Sequence, residues 1–296
     1  MKKKITIGNI IIHIFFIVSC LTFIVPFLYI ISASLSSEEN LIKYGYSLFT
    51  QKIDFTAYNF VFADPGAILT SYGVTIFESV VCTILAVIIM ALCAYPLSKS
   101  NFGFRSIITF FIFFTMLFSG GLIPTYILIT KYLKLGNTIW VYILPALASP
   151  WHIIIIRTFF QGLPNSLSEA AKIDGAKELT IFFRIILPLS KPVLATIALF
   201  TLLGRWNDWM TSLIYVRNEN LYTLQYLLQR ILRDIEFVNN MANSAAAVST
   251  NLNSYELPIE SMKFAMCVVA AGPMLVVFPF FQKYFARGLT VGAVKG

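Results

Sequence analysis

Charged side chains are scarce in this 296-residue sequence: Asp, Glu, Lys and Arg make up 12% of it. Soluble domains carry about 25%, so an ordinary soluble fold with a charged surface is excluded. Histidine is nearly absent, at two residues, and the four cysteines, Cys20, Cys82, Cys93 and Cys267, form no CxxC. Each cysteine falls inside an apolar run and reads as a small buried hydrophobe, not a disulfide partner or metal ligand. With no His/Cys/Glu cluster and no nucleophile–base constellation, neither a metal site nor covalent catalysis is expected, and the chain is not expected to be an enzyme. A G-x-x-x-x-G-K-[ST] phosphate loop is also missing, so any ATP used must be bound by another chain.

What the chain has instead is apolar length. Hydrophobic residues make up 58% of it, in runs of about twenty, the length a helix needs to cross a hydrocarbon layer of about 30 Å. Candidate spans cover 10–33, 72–97, 107–129, 138–156, 192–215 and 264–284. Open strands would leave backbone groups unpaired in lipid, and these runs do not alternate as barrel strands do, so the expected fold is all-α. The start, Met1-Lys2-Lys3-Lys4 before apolar residues, imitates a signal peptide. Its apolar run is much longer than an h-region of roughly 7–15 residues, so it is expected to remain as a span.

The formal net charge is +8. No basic face with interleaved aromatics appears, so nucleic acid is not an expected partner. The excess fits Lys and Arg flanking spans on the cytoplasmic side. With the N-terminus inside, the inner segments hold Lys2–Lys4, Lys99, Arg105, Arg157, Lys172, Lys177, Arg184, Lys191, Lys283, Arg287 and Lys295, against only Glu169, Asp174 and Glu178 among the acids. Both termini are therefore expected in the cytoplasm of a multi-pass cell-membrane protein. Three connections are long: 36–71 and 217–260 outside, and 160–191 inside. Within 217–260, Leu224, Leu227, Leu228, Ile231, Leu232 and Ile235 recur at helical spacing and mark an amphipathic helix over 222–237. Residues 239–254, rich in Asn, Ser and Ala, read as a loop. The segment suits a docking surface for an external partner or a plain surface linker.

The inner connection is the most informative stretch. It runs Leu163-Pro164-Asn165-Ser166-Leu167-Ser168-Glu169-Ala170-Ala171-Lys172-Ile173-Asp174-Gly175-Ala176 and continues to Ile185-Ile186-Leu187-Pro188. Ser166 and Glu169 have capping-box spacing. Leu167, Ala170, Ala171 and Asp174 fall along one side of a short helix, and Gly175 permits a sharp turn. A second stretch over 177–186 is apolar enough to lie on the bundle. Physics alone is equally consistent with a helix that inserts into a partner's groove and with an ordinary helix–turn–helix loop.

The spacing Glu-Ala-Ala, three residues, Gly, nine residues, Ile-x-Leu-Pro resembles the "EAA" signature of permeases of binding-protein-dependent ABC importers. Glu169, Ala170, Ala171, Gly175, Ile185, Leu187 and Pro188 match it without departure. The end of the chain, from Gln282-Lys283-Tyr284 to Gly296, resembles carbohydrate permeases of the maltose-permease type. Ser119-Gly120-Gly121-Leu122-Ile123-Pro124 and Trp206-Asn207-Asp208-Trp209 resemble the branch that imports complex oligosaccharides. The resemblance implies a six-span, type I ABC importer permease fold: a first helix and extracellular segment over 1–71, the transmembrane domain over 72–285 and a cytoplasmic tail over 286–296. It implies a second, homologous permease as heterodimer partner, two ABC ATPase subunits that bind ATP and Mg, an extracellular solute-binding protein and an oligosaccharide cargo. Glu169–Gly175, with Asp174 inside it, would be the coupling helix seated in an ATPase groove.

Ionisable groups at membrane depth are costly and usually face a cavity or a partner. Arg205 and Asp208 are three apart in the fifth candidate span, with Trp209 expected on the same side and Trp206 beside it. They are read either as a sugar-lined translocation path or as a structural ion pair with an interfacial aromatic. His152, beside Trp151 in the fourth span, is read as a satisfied buried polar group. Glu78 and Lys263 are placed near span ends, within reach of the interface. Two rival classes remain. A secondary transporter would want acids or broken helices near the midplane of several spans, where only Asp208 qualifies. A membrane sensor would want a cytoplasmic catalytic or dimerisation module, which is lacking. An ABC permease for a non-sugar solute is the other alternative.

Overall fold

The computed structural model describes residues 7–50, 52–246 and 258–292, and among them the regular structure is helical apart from one isolated antiparallel bridge, Ser36–Ile53. In chain order the helices are α1 (Ile7–Ser34), α2 (Glu38–Tyr44), α3 (Thr56–Val61), α4 (Pro65–Ser98), α5 (Arg105–Leu117), α6 (Leu122–Ile127), α7 (Trp140–Ile143) and α8 (Pro150–Gln161). Then follow α9 (Asn165–Ile173), α10 (Glu178–Ile181), α11 (Leu187–Leu189), α12 (Lys191–Trp206), α13 (Met210–Tyr215), α14 (Leu224–Ala246) and α15 (Ile259–Gly292). Wide π turns at Leu128–Tyr132 and Phe182–Ile186 extend α6 and join α10 to α11.

Among the described residues three helices are long and apolar enough to cross a bilayer, at Gly8–Ser34, Pro65–Ser98 and Ile259–Gln282. They coincide with the first, second and sixth expected spans. The third and fourth expected spans are bent, and the fifth, over 192–215, is entered by a bend ahead of it and broken at 207–209. Arg105–Leu117 and Leu122–Tyr132 meet at 113°, and Trp140–Ala146 and Pro150–Gln161 at 47°. Glu178–Leu189 turns by 79° into Lys191–Trp206. The first break follows from Ser119-Gly120-Gly121, where Gly121 has φ 85°, a conformation that costs glycine little. The second falls at Pro150, which opens α8 with Ser149 extended before it, as the residue preceding proline prefers.

The chain divides into two compact units, Met1–Gly66 with Leu227–Pro273, and Ala67–Tyr226 with Met274–Gly296. In the first, Glu38 caps the start of α15. Its carboxylate accepts from the Glu260 and Ser261 backbone N–H groups, each at 3.0 Å, where the orphan donors and the positive helix end favour a negative charge. Lys263 lies in the same unit and pairs with Glu260 at 3.0 Å and Glu236 at 3.5 Å. The amphipathic helix α14 runs past residue 237 to Ala246, so the first part of the expected loop over 239–254 is helical. Residues 247–257 lie outside the described residues. The side chains of Phe15, Phe23 and Phe27 on α1 are largely exposed, as befits a helix that meets lipid or another subunit. Of the cysteines, Cys82 is buried and Cys93 half-buried, but Cys20 and Cys267 are exposed. An apolar run in a membrane chain need not face its own interior, so the reading of all four as buried is corrected.

The second unit holds the main core. Small residues on α4, Ala86, Ala91 and Ala94, let neighbours approach closely. Ile153, Ile156 and Phe160 of α8, Ile181, Phe182 and Ile186 of the α10–α11 stretch, and Ile197 of α12 belong to the same cluster. This packing anchors both ends of the loop that carries α9.

Candidate functional site

The helix α9 is short, and its two ends differ in how they are made. Pro164 stands at the N-cap, without a side-chain cap bond. The expected capping box is therefore not formed: Ser166 lies inside the first turn, because the fixed φ of Pro164 starts the helix earlier. The C-terminus is a Schellman motif. Gly175 has φ 77°, its N–H donates to the Lys172 carbonyl at 3.0 Å, and the Ala176 N–H reaches the Ala171 carbonyl at 2.9 Å. The left-handed residue at this position turns the chain sharply from α9 toward α10.

One face of α9 is held and the other is free. Ser168 is buried and accepts from Lys99 Nζ at 3.1 Å. Ala171 is half-buried against the core, as are Ala176, Ile185 and Leu187. Glu169, Ala170, Asp174, Gly175 and Pro188 are exposed. Of the expected stripe of Leu167, Ala170, Ala171 and Asp174, only Ala171 turns inward. Ile173 is 87% exposed at the tip, an apolar side chain with nothing of its own chain to cover it. The loop is braced by residues that the sequence pattern did not single out. Lys172 pairs with Glu178 at 2.6 Å, and Glu178 accepts from the Tyr95 hydroxyl at 2.7 Å. Lys99 lies 4.8 Å from the Tyr95 ring centre.

The second candidate cluster lies where α12 ends. Arg205 and Asp208 form an ion pair, but not along one helix face. The helix stops at Trp206, and Asn207, Asp208 and Trp209 form a break before α13. Asn and Asp favour such breaks by bonding locally to backbone. Here Asn207 Nδ2 donates to the Leu203 carbonyl at 2.8 Å, and Asp208 Oδ1 accepts from the Thr211 N–H at 3.1 Å, capping the next helix. The expectation that Arg205, Asp208 and Trp209 share a side at 100° per residue is thereby corrected.

The pair is sewn into the interior. Arg205 Nη1 donates to the Tyr142 carbonyl at 2.9 Å. The Tyr142 hydroxyl meets Ser212 Oγ at 2.7 Å and donates to the Leu221 carbonyl at 2.8 Å. Ser212 also meets Thr223 Oγ1 at 2.9 Å, and that hydroxyl donates to the Asp208 carbonyl at 2.9 Å. Thr75 of α4 accepts from the Leu224 N–H at 2.8 Å. The arrangement favours a structural role for Arg205 and Asp208. Trp206 is 3% exposed, with its ring 6.4 Å from that of Tyr72, whereas Trp209 is half-buried and Asn207 exposed. His152 is half-buried and Trp151 exposed.

Glu78 is the side chain most misplaced by sequence reasoning. It is buried at 0% exposure in the body of α4, which begins at Pro65, ahead of the expected start of the span. Among the described residues neither of its carboxyl oxygens has a hydrogen-bond partner. Arg205 and Asp208 are the charges it feels.

These features match known proteins along nearly the whole chain. The family described as "Binding-protein-dependent transport system inner membrane component" matches over residues 5–291. Protein LplC of Bacillus subtilis (strain 168) is 41% identical over 92% of this chain and 90% of its own length. The polygalacturonan/rhamnogalacturonan transport system permease protein YtcP of the same organism is 36% identical over 100% of both. The arabinooligosaccharides transport system permease protein AraQ of Halalkalibacterium halodurans is 31% identical over 92% of this chain and 91% of its own. Among solved structures, the crystal structure of a bacterial ABC transporter involved in the import of the acidic polysaccharide alginate has a chain that superposes with TM-score 0.76. That chain is 33% identical, with 94% of this chain and 96% of that chain covered.

Proposed function

The chain belongs to the family of binding-protein-dependent transport system inner membrane components, and on that premise we propose that the solute it passes is an oligosaccharide released from a larger polysaccharide. It is a non-catalytic, multi-pass permease subunit of an ABC importer. The permeases named for polygalacturonan/rhamnogalacturonan and arabinooligosaccharides, and the alginate importer, support the choice of cargo. In this reading the chain pairs with a second, homologous permease above two ATPase subunits that bind ATP and Mg. An extracellular solute-binding protein delivers the sugar, and both termini of the chain lie in the cytoplasm.

The observation that carries the coupling role is the exposed outer face of α9. Glu169, Ala170 and Ile173 project from a short helix whose inner face is tied to Lys99, just past α4, and to the core. Movement of an ATPase groove around α9 is transmitted through Ala171, Ala176, Ile185 and Leu187 to the spans, which alternate between outward- and inward-open states. Trp209 and Asn207 are the candidates for sugar contact beside the Arg205–Asp208 pair, while Trp206 supports them from inside.

Two measurements test the reading. An Ile173→Cys variant should cross-link to an ATPase subunit that carries a cysteine in its groove. Proteoliposomes holding the full complex should take up labelled oligogalacturonides only with ATP and the binding protein together. Absence of any cross-link, or uptake without an ATPase subunit, would sink the assignment.

A further inference from the structure

Two cavities in the second unit meet at one arginine. The first is a polar chamber of about 300 Å³ at the ends of α4 and α8 and the start of α9, lined in part by Lys99, Gln161 and Asn165. The second is an open groove of about 850 Å³ between α5 and α8, with Phe110, Phe113, Met116, Trp151 and Ile154 as its apolar wall. Ser100 and Arg105 line both. Ser100 and Arg105 thus stand between a charged recess and an apolar trough, the division of an amphiphile.

The charge at the junction is of one sign. Arg157 lines the groove and feels the charge of Arg105. Among the described residues neither arginine has an ion-pair partner. Arg157 gives its Nε to the Leu97 carbonyl at 3.0 Å. The neighbouring carboxylate, Glu178, is taken by Lys172 and Tyr95. Thr109, also on the groove, has a buried hydroxyl without a partner. Two cations lining one groove without a counter-ion call for an anion with several acceptor oxygens. The aromatic and aliphatic wall below calls for a hydrocarbon chain. Basic pockets between membrane helices on the cytoplasmic side take anionic headgroups by this logic.

We propose that this junction binds an anionic phospholipid, its phosphate held by Arg105 and Arg157 and an acyl chain lying along the groove between α5 and α8. Only the leaflet that supplies the lipid, the cytoplasmic one, rests on the orientation proposed above.

The test uses the assembled complex in detergent, with phosphatidylglycerol and phosphatidylcholine offered in equal amounts and bound lipid read by native mass spectrometry. The wild-type complex should retain phosphatidylglycerol preferentially. Arg105→Gln should lower that retention roughly fivefold, as expected when one basic group no longer faces the phosphate, while Arg105→Lys should keep it. Equal retention by wild type and Arg105→Gln overturns the proposal. So does displacement of the lipid by an equal concentration of glycerol phosphate, which would make this a soluble-anion site. A cross-link from Phe113→Cys to the second permease, placing protein in the groove, overturns it too. The same spectra report whether ATPase subunits are bound, so a failure of the permease reading is visible separately from a failure of the lipid site.

Discussion

Arg205 and Asp208 are paired across the end of α12, with the acid in the break before α13 and the guanidinium also bound to the Tyr142 carbonyl at 2.9 Å. Their side chains are only 16% and 9% exposed. Asp208→Ala would remove the counter-charge and leave Arg205 in an apolar setting, at a cost of about 3 kcal/mol. It would also remove the cap on α13. The expected outcome is a clear fall in the thermal unfolding midpoint of the purified complex, with import lost as a consequence. An unchanged midpoint, together with lost import, would instead make Asp208 a cargo contact.

The relation of this pair to the sequence is instructive. Spacing of three correctly joins Arg205 to Asp208, yet the geometry behind that inference was an unbroken helix. Asn207 and Asp208 end the helix by bonding to backbone, and periodicity does not register that competition. The long apolar spans were legible because hydropathy scales with length, and the turn at Gly175 because few residues other than glycine hold a positive φ there at low cost. Glu78 was not legible. Its depth depends on α4 starting at Pro65 and on the packing of other helices around it, neither of which is written in its local neighbours. The brace of Lys172, Glu178 and Tyr95 combines a pair across the Gly175 turn with a contact 83 residues away in the chain, and the signal of that second link is tertiary alone.

Glu78 invites the opposite experiment to Asp208. Its carboxyl oxygens make no hydrogen bond, and Arg205 is already satisfied by Asp208 and the Tyr142 carbonyl. Replacing a buried, unbonded polar group by an apolar one of similar size loses no bond and removes a desolvation cost. Glu78→Met is therefore expected to leave the unfolding midpoint of the complex equal or higher, in contrast to Asp208→Ala. A fall as large as that of Asp208→Ala would show that Glu78 shares the charge network and stabilises Arg205.

At α9 the two informative substitutions act on different links. No atom beyond its chain neighbours lies within 4 Å of a Cβ built on Gly175, so Gly175→Val is opposed by backbone conformation, not by collision. A β-branched residue at φ 77° costs about 1–2 kcal/mol or more, while asparagine tolerates that region better. Transport and ATP hydrolysis should be strongly uncoupled in Gly175→Val and partly preserved in Gly175→Asn. Glu169 is exposed, so Glu169→Lys should weaken ATPase association through reversed charge without altering the stability of the permease itself. If Gly175→Val imports at the wild-type rate, the turn does not couple the two subunits.

The two tryptophans beside Asp208 separate support from contact. A sugar presents hydroxyls at its rim and C–H faces above and below, so its site needs hydrogen-bonding groups beside a flat aromatic surface. Trp206 is 3% exposed and packs near Tyr72, which removes it from direct contact in this conformation. Trp206→Ala should open a cavity and cost about 3–5 kcal/mol, lowering the unfolding midpoint of the complex. Trp209 is half-buried beside the exposed amide of Asn207, whose Oδ1 accepts from Gln225 Nε2 at 3.4 Å. Trp209 packs in part on the Ile129, Val141 and Tyr142 cluster, so Trp209→Ala should lower the midpoint less than Trp206→Ala does while slowing proteoliposome uptake several-fold at preserved assembly, and Asn207→Ala should slow uptake to a smaller degree. The decisive comparison is uptake at matched assembly. Normal uptake by Trp209→Ala, with ATP hydrolysis still stimulated by the binding protein, would move the sugar contacts off this break and onto the partner permease.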